Sequence, residues 1–287
     1  MPSYFSKTSR LGRVNTGSVA QRLADTPGVA RTILDAARAA RGMPGADPRA
    51  MSHSWLFTGP PGSGRSLAAI DFAAALMCTD PEEPGCGRCE ACRAVLETKQ
   101  HTDLVLVDPQ EVIIPVDTVR EVIGRAASLP TVAPWRVVIF NNADRLNNNG
   151  ANALLKTVEE PPARTVIIMC APSDAPEDFS QTLRSRCRHL YIPSPSVESI
   201  TAQLVSEGAS DHDAHLAALT SLRHVGRARR LVNDPAVQKR RAVAINLAEE
   251  VFHGSQGFQA VTSLLKLVDA EAKESHKDQD CLLYTSD

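Results

Sequence analysis

Between Ser54 and Ser66 the chain reads Ser-Trp-Leu-Phe-Thr-Gly-Pro-Pro-Gly-Ser-Gly-Arg-Ser, and no other stretch restricts the fold so sharply. An apolar run that enters a glycine-rich turn and then a helical pattern is the strand–loop–helix of a phosphate loop. Gly59, Gly64, a basic residue and Ser66 keep the Gly-x-x-x-x-Gly-Lys-Ser/Thr spacing, with Gly62 inside it. Arg65, however, stands where lysine is required. In a working loop the backbone N–H groups cradle phosphates, the lysine reaches the β/γ oxygens and the hydroxyl holds Mg²⁺. A guanidinium keeps the charge in a bulkier planar fork, so the exchange is not conservative. The loop predicts nucleotide-binding ancestry, and the arginine argues against turnover.

A second departure points the same way. Arg136-Val-Val-Ile-Phe140 reads as a buried parallel strand, short, apolar and rich in β-branched residues. In a P-loop ATPase the carboxylates for Mg²⁺ and for the attacking water sit at the end of such a strand. Here the chain continues Asn141-Asn142-Ala143-Asp144. Amides hydrogen-bond but carry no charge with which to hold Mg²⁺ or take a proton. Asp144 comes three residues late and is expected to cap the next helix. Two losses at cooperating positions predict an ATPase fold that no longer hydrolyses ATP.

Strand patterns at 55–57, 104–108, 136–140, 165–169 and 189–192 alternate with helical ones, which predicts an α/β fold with a parallel three-layer sheet. Its ligand crevice would lie outside the strand C-termini, where Gly59–Ser66, Asn141 and Cys170–Pro172 fall. Helical spacing covers Val19–Ala40, Leu67–Met77 and 152–158. Asp117 is expected to cap a further helix with Val119, Val122, Ile123, Ala126 and Ala127 on one face. After Pro193-Ser-Pro195 the pattern is helical only, at roughly 196–207, 211–223, 225–233, 235–253 and 257–273. These breaks predict a nucleotide-binding-type domain over 1–194, a helical lid over 195–234 and the start of a further helical domain over 235–287. The last ten residues do not continue the helical pattern and read as a non-native end to an incomplete domain.

At 287 residues there is length for about two domains. A net charge of −2 gives no global drive toward nucleic acid. No run approaches the ~18 apolar residues of a membrane span, and Met1–Lys7 lacks the plan of a signal peptide. Cysteines spaced for metal rather than for a disulfide framework read as cytoplasmic.

Four of the seven cysteines fall in one short segment, about 78–93. Cys78, Cys86, Cys89 and Cys92 have the spacing C-x7-C-x2-C-x2-C. Each C-x2-C step lets one turn direct two thiolates at one ion, and four thiolates complete a closed tetrahedral Zn²⁺ site of structural type. Gly85 and Gly87 supply the backbone freedom. A redox cluster and free cytosolic thiols are the alternatives.

Three further segments carry a family resemblance: Asn152-Ala-Leu-Leu-Lys-Thr-Val-Glu-Glu-Pro-Pro162, Leu183-Arg-Ser-Arg-Cys-Arg188 and His224-Val-Gly-Arg-Ala-Arg-Arg-Leu231. With the loop and the cysteine quartet they closely resemble the delta-prime subunits of the bacterial DNA polymerase III clamp loader, actinobacterial forms in particular, from about residue 15 to 255. The resemblance implies an AAA+ module, a lid and a helical collar that assembles a pentameric ring with gamma/tau and delta subunits. That ring opens the sliding clamp and places it on primed DNA. It also implies a subunit with no ATPase or polymerase activity of its own, which lends an arginine to its neighbour's ATP site. Ser185, Arg186 and Cys187 match the family's SRC motif, so Arg186 is the expected arginine finger. A surface ion pair is the plainer reading of that residue.

Arg227 matches the lid position that senses nucleotide in hydrolysing relatives. Relatives often keep an acid at the strand end where Asn141 and Asn142 stand, which weakens Mg²⁺-dependent binding. Weak ATP or ADP binding through Gly59, Gly62, Gly64, Arg65 and Ser66 stays open, because loop N–H groups bind phosphate without metal. Val225, Ala228, Leu231 and Val232 mark a buried face of the Arg223–Arg241 run, so its arginines read as a solvated face before a DNA-backbone contact. Lys156, Glu159 and Glu160 read as helix packing and subunit contacts. Two rivals remain. One is a gamma/tau-type ATPase that tolerates Arg65. The other is a zinc-dependent DNA-binding module, disfavoured by Asp80, Glu82, Glu83 and Glu90 around the cysteines.

Overall fold

Aliphatic strands set the centre of the structure, a computed structural model that describes residues 17–109, 112–252, 261, 262, 265, 266 and 269. The chain divides into two compact units, Met1–Ser199 and Ile200–Asp287. In the first, β1 (Ser54–Thr58), β2 (Leu104–Val107), β3 (Arg136–Phe140), β4 (Thr165–Ala171) and β5 (Arg188–Tyr191) form one parallel sheet. The strand order is β2-β3-β4-β1-β5. Every residue of β1, β3 and β4 is buried, as befits strands covered on both faces.

Alternation along β1 splits the core. Trp55 and Phe57 face one layer, with Phe72, Leu76 and Ile33. Leu56 faces the other, with Val138, Phe140, Met169 and Leu154. Trp55 meets Phe72 edge-on at 5.1 Å between ring centroids. The first layer is built by α1 (Val19–Arg22), α2 (Pro27–Ala40), α3 (Arg65–Met77) and α4 (Glu90–Arg93), the last running on into a π-helical turn at Ala94–Thr98. The second is built by α5 (Val116–Ala126), α6 (Asn148–Glu159) and α7 (Gln181–Arg184).

Three local expectations need correction. The pattern over Val19–Ala40 is two helices, because Pro27 has no N–H to continue α1 and instead opens α2 at its N-terminus. Asp117 does not cap α5: Pro115 holds that position, and Asp117 lies in the first turn, where it pairs with Arg120 at 3.0 Å. Nor does Asp144 cap α6. The chain leaves β3 through Asn142 in the left-handed region (φ 53°), which asparagine tolerates, and needs a 3₁₀ turn at Ala143–Arg145 before the helix. Asn147 is the cap, accepting from the Gly150 N–H at 2.8 Å.

In the second unit, α8 (Val197–Ser206, entering from the first), α9 (Asp211–Thr220), α10 (Val225–Asn233) and α11 (Pro235–Phe252) follow one another. Ile200, Leu204, Ala214, Ala217, Ala218 and Ala228 are buried. Helix α9 stops short of residue 223, because Leu222 and Arg223 both take positive φ (54° and 62°) and turn the chain into α10. Val225, Leu231 and Val232 are half-buried rather than fully covered. Arg229 is not simply solvated: it makes a two-pronged contact with Glu207 at 2.8 and 2.6 Å. Most of 257–273, the last ten residues and Met1–Lys7 lie outside the described residues. Among the described residues no helix is long and apolar enough to cross a membrane.

Candidate functional site

Parallel register brings the ends of β1, β3 and β4 together, with Thr58 opposite Ala171 and Phe140 opposite Met169. The glycine loop starts there. A Cβ on Gly59 would meet the Ile192 carbonyl oxygen at 2.2 Å and Ser63 Oγ at 2.7 Å, so only glycine fits. Its N–H donates to the Pro172 carbonyl at 3.2 Å. Gly64 precedes α3 in the left-handed region (φ 93°). The first N–H groups of α3 then face the loop without intrahelical partners, the arrangement that favours an anion.

Arg65 turns back on this loop. Its Nη1 donates to the Gly59 carbonyl at 2.5 Å. Burial lowers its pKa, and the nearby Cys170, Asp144 and Asp178 act against that shift. Ser66 is exposed at the helix start. Ser63 Oγ and Asn141 Oδ1 are buried with no hydrogen-bond partner among the described residues. Backbone cradle and orphaned Ser63 hydroxyl suit a phosphate oxygen. The donor set does not suit Mg²⁺, because Asn141 and Asn142 are amides and Asp144 sits exposed on the 3₁₀ turn. Cys170, buried near the end of β4, has its thiol pushed up to about 12 by burial.

Arg186 lies between α7 and β5, apart from that loop's own contacts. Its Nε donates to Glu159 Oε1 at 2.5 Å. Nη1 donates to the Thr182 carbonyl at 2.9 Å and to Ser185 Oγ at 3.1 Å. The side chain is 37% exposed. Cys187 beside it is half-buried against the second core layer, and burial raises its thiol to about 12. Arg227 belongs to the second unit, where it is exposed on α10 and its N–H donates to His224 Nδ1 at 3.3 Å.

The four cysteines converge. Their Sγ atoms all lie within 4.8 Å of one another, and Cys78 and Cys89 are 3.9 Å apart. A tetrahedral site with metal–sulfur bonds of about 2.3 Å needs sulfurs about 3.8 Å apart, so the cluster fits. Cys78 ends α3, and Cys86 sits between Gly85 and Gly87, both at positive φ (75° and 72°). Cys89 caps α4, accepting from the Cys92 N–H at 3.4 Å. Cys78 and Cys86 likewise accept from the N–H groups of Asp80 and Cys89 at 3.4 Å. Such N–H···S contacts favour thiolates. Cys78 is held down to about 4, first by Cys92. Cys92 is pushed up by sharing with Cys78 and by burial. These residues can hold a metal ion.

Two features had no signal in the sequence pattern. Glu159 is brought to Arg186 from the end of α6. Asp103, fully buried, accepts from the N–H groups of Thr131, Val132 and Ala133 at 2.8 Å each and pairs with Arg136 at 3.0 Å.

Residues 46–196, just over half of the chain, match the family described as DNA polymerase III, delta subunit. The DNA polymerase III subunit delta' of Pseudomonas aeruginosa is 35% identical over 165 residues, 55% of this chain and 49% of that protein. The Escherichia coli subunit delta' is 34% identical over 170 residues, 58% and 50% of the two chains. The DNA polymerase III subunit gamma/tau of Mycobacterium tuberculosis is 33% identical over 174 residues, 58% of this chain and 30% of that one. The chain therefore spans about half the length of the delta' relatives it matches.

Proposed function

Given that this chain belongs to the DNA polymerase III, delta subunit family as a clamp-loader delta-prime subunit, we propose that it supplies Arg186 in trans to a neighbouring ATPase subunit and hydrolyses no ATP itself. One observation carries this reading. The end of β3 offers the amides Asn141 and Asn142 where hydrolysis needs carboxylates, while a guanidinium stands half-exposed at Arg186. A cation held outward contributes nothing to the chain's own loop. In trans it can stabilise charge developing on a γ-phosphate, an effect of ~10³–10⁵-fold in related chemistry.

On this reading the partners are gamma/tau and delta subunits in a ring, which acts on the sliding clamp and primed DNA in the cytoplasm. Residues 1–194 are the AAA+ module, 195–234 the lid and 235–287 the start of the collar. Cys78, Cys86, Cys89 and Cys92 hold structural Zn²⁺. Gly59, Gly62, Gly64, Arg65 and Ser66 form a degenerate site at which ATP or ADP binds weakly. Matches to gamma/tau proteins favour a second reading, an ATP-hydrolysing subunit.

Turnover assays separate the two. Assembled with gamma/tau, delta, clamp and primed DNA, the parent chain should stimulate ATP hydrolysis, and Arg186→Ala should lose at least ~10³-fold of the rate supplied by the arginine while still assembling. Mg²⁺-ATP turnover by the chain alone would support the gamma/tau reading instead.

A further inference from the structure

The Arg186 guanidinium is fixed along one side and open along the other. Of its five N–H groups, three are engaged. Nε meets Glu159 Oε1, and the two hydrogens of Nη1 meet the Thr182 carbonyl and Ser185 Oγ. Ser185 has its own proton committed to the Thr182 carbonyl at 3.0 Å, so its oxygen is left to accept from Arg186. Nη2 makes no hydrogen bond among the described residues, and that end of the fork is the one left to meet a ligand.

Glu159 is an odd occupant of its position. It is the last residue of α6, where the negative end of the helix disfavours a carboxylate. Helix packing does not explain it either, since its side chain is 46% exposed. Among the described residues its side chain pairs with Arg186 alone. Exposed pairs of this kind add little to stability, so the contact is better understood through what it does to the arginine's direction.

We infer that Glu159 is a positioning residue: with Ser185 it holds Arg186 in the rotamer that presents Nη2 to an anionic oxygen on a neighbouring subunit. This rests on the reading of Arg186 as an arginine supplied in trans. A long arginine left free samples many rotamers, and misplacing a catalytic group by about 1 Å can cost up to ~10²-fold in rate.

The test uses the full chain in the assembled clamp loader, with Mg²⁺-ATP as the probe. Glu159→Ala should lower kcat of the stimulated ATPase about tenfold, within that positional range, and leave KM unchanged. The thermal midpoint of the chain should not move. Glu159→Gln, whose amide oxygen still accepts from Nε, should recover most of the loss, and Glu159→Ala should add nothing in an Arg186→Ala background. An unchanged or raised kcat for Glu159→Ala, with Arg186→Ala still defective, overturns the positioning role alone. So does a further loss in the double variant. If Arg186→Ala is as active as the parent, or the parent gives no stimulation, the functional reading fails and this inference goes with it.

Discussion

Asp103 remains ionised in a fully buried place because the backbone and Arg136 replace its water. Burial alone would raise its pKa, but three N–H donors and the Arg136 guanidinium outweigh that and hold it well below the usual carboxylate range. A depressed native pKa means stability that is complete above the unfolded value, about 3.9, and lost as pH falls below it toward the native value. Asp103→Asn should therefore cost about 3 kcal/mol at neutral pH, because it leaves Arg136 buried and unpaired. The same variant should show a shallower loss of stability on acidification. Denaturant melts of both proteins between pH 7 and pH 3 check this, and parallel acid limbs would contradict it.

Among the elements, the cysteine insertion is locked to the first helices. The Val19 N–H donates to the Gly85 carbonyl at 2.8 Å, and a Cβ on Gly85 would meet Val19 Cγ2 at 2.5 Å. Arg22 of α1 pairs with the buried Asp71 of α3 at 2.5 Å. A metal held by the four thiols would therefore secure α1 as well as α4. One Zn²⁺ per chain is expected by metal analysis, and Cys92→Ser should lose it at a cost on the order of 3 kcal/mol. Gly85→Ala should cost about 1–3 kcal/mol through overpacking while the cysteines remain able to bind metal. Thermal melts with and without chelator give both values. A chelator-insensitive melt would remove the metal from the account.

At the scale of the molecule, the degenerate loop predicts silence from the chain alone. Restoring lysine at the loop does not restore carboxylates at β3, so Arg65→Lys should hydrolyse Mg²⁺-ATP no faster than the parent chain. A steady-state assay on the purified chain decides this. Turnover by Arg65→Lys would mean that an acid elsewhere serves the loop in place of the amides at 141 and 142. On the proposed reading, stimulation of neighbouring subunits would belong to the assembly and should respond to Arg186 instead.

Much of this was legible in the residues themselves. Strand positions followed from runs such as Arg136–Phe140, the glycine loop from its spacing, and the cysteine cluster from C-x7-C-x2-C-x2-C, because each is dictated by neighbours along the chain. Helix starts were less legible: Asp117 and Asp144 are both plausible caps by type, but Pro115 and the left-handed Asn142 set where the helices begin. Asp103 with Arg136, 33 residues apart, was not legible at all, and for Arg186 the sequence offered an ion pair but not its partner Glu159, 27 residues away. Their meeting depends on parallel strand register and on where α6 ends against α7. Local sequence determined which segments are strand, loop, helix and cysteine cluster. Only the tertiary structure decided which charges meet, because partners at such separations are chosen by packing rather than by spacing.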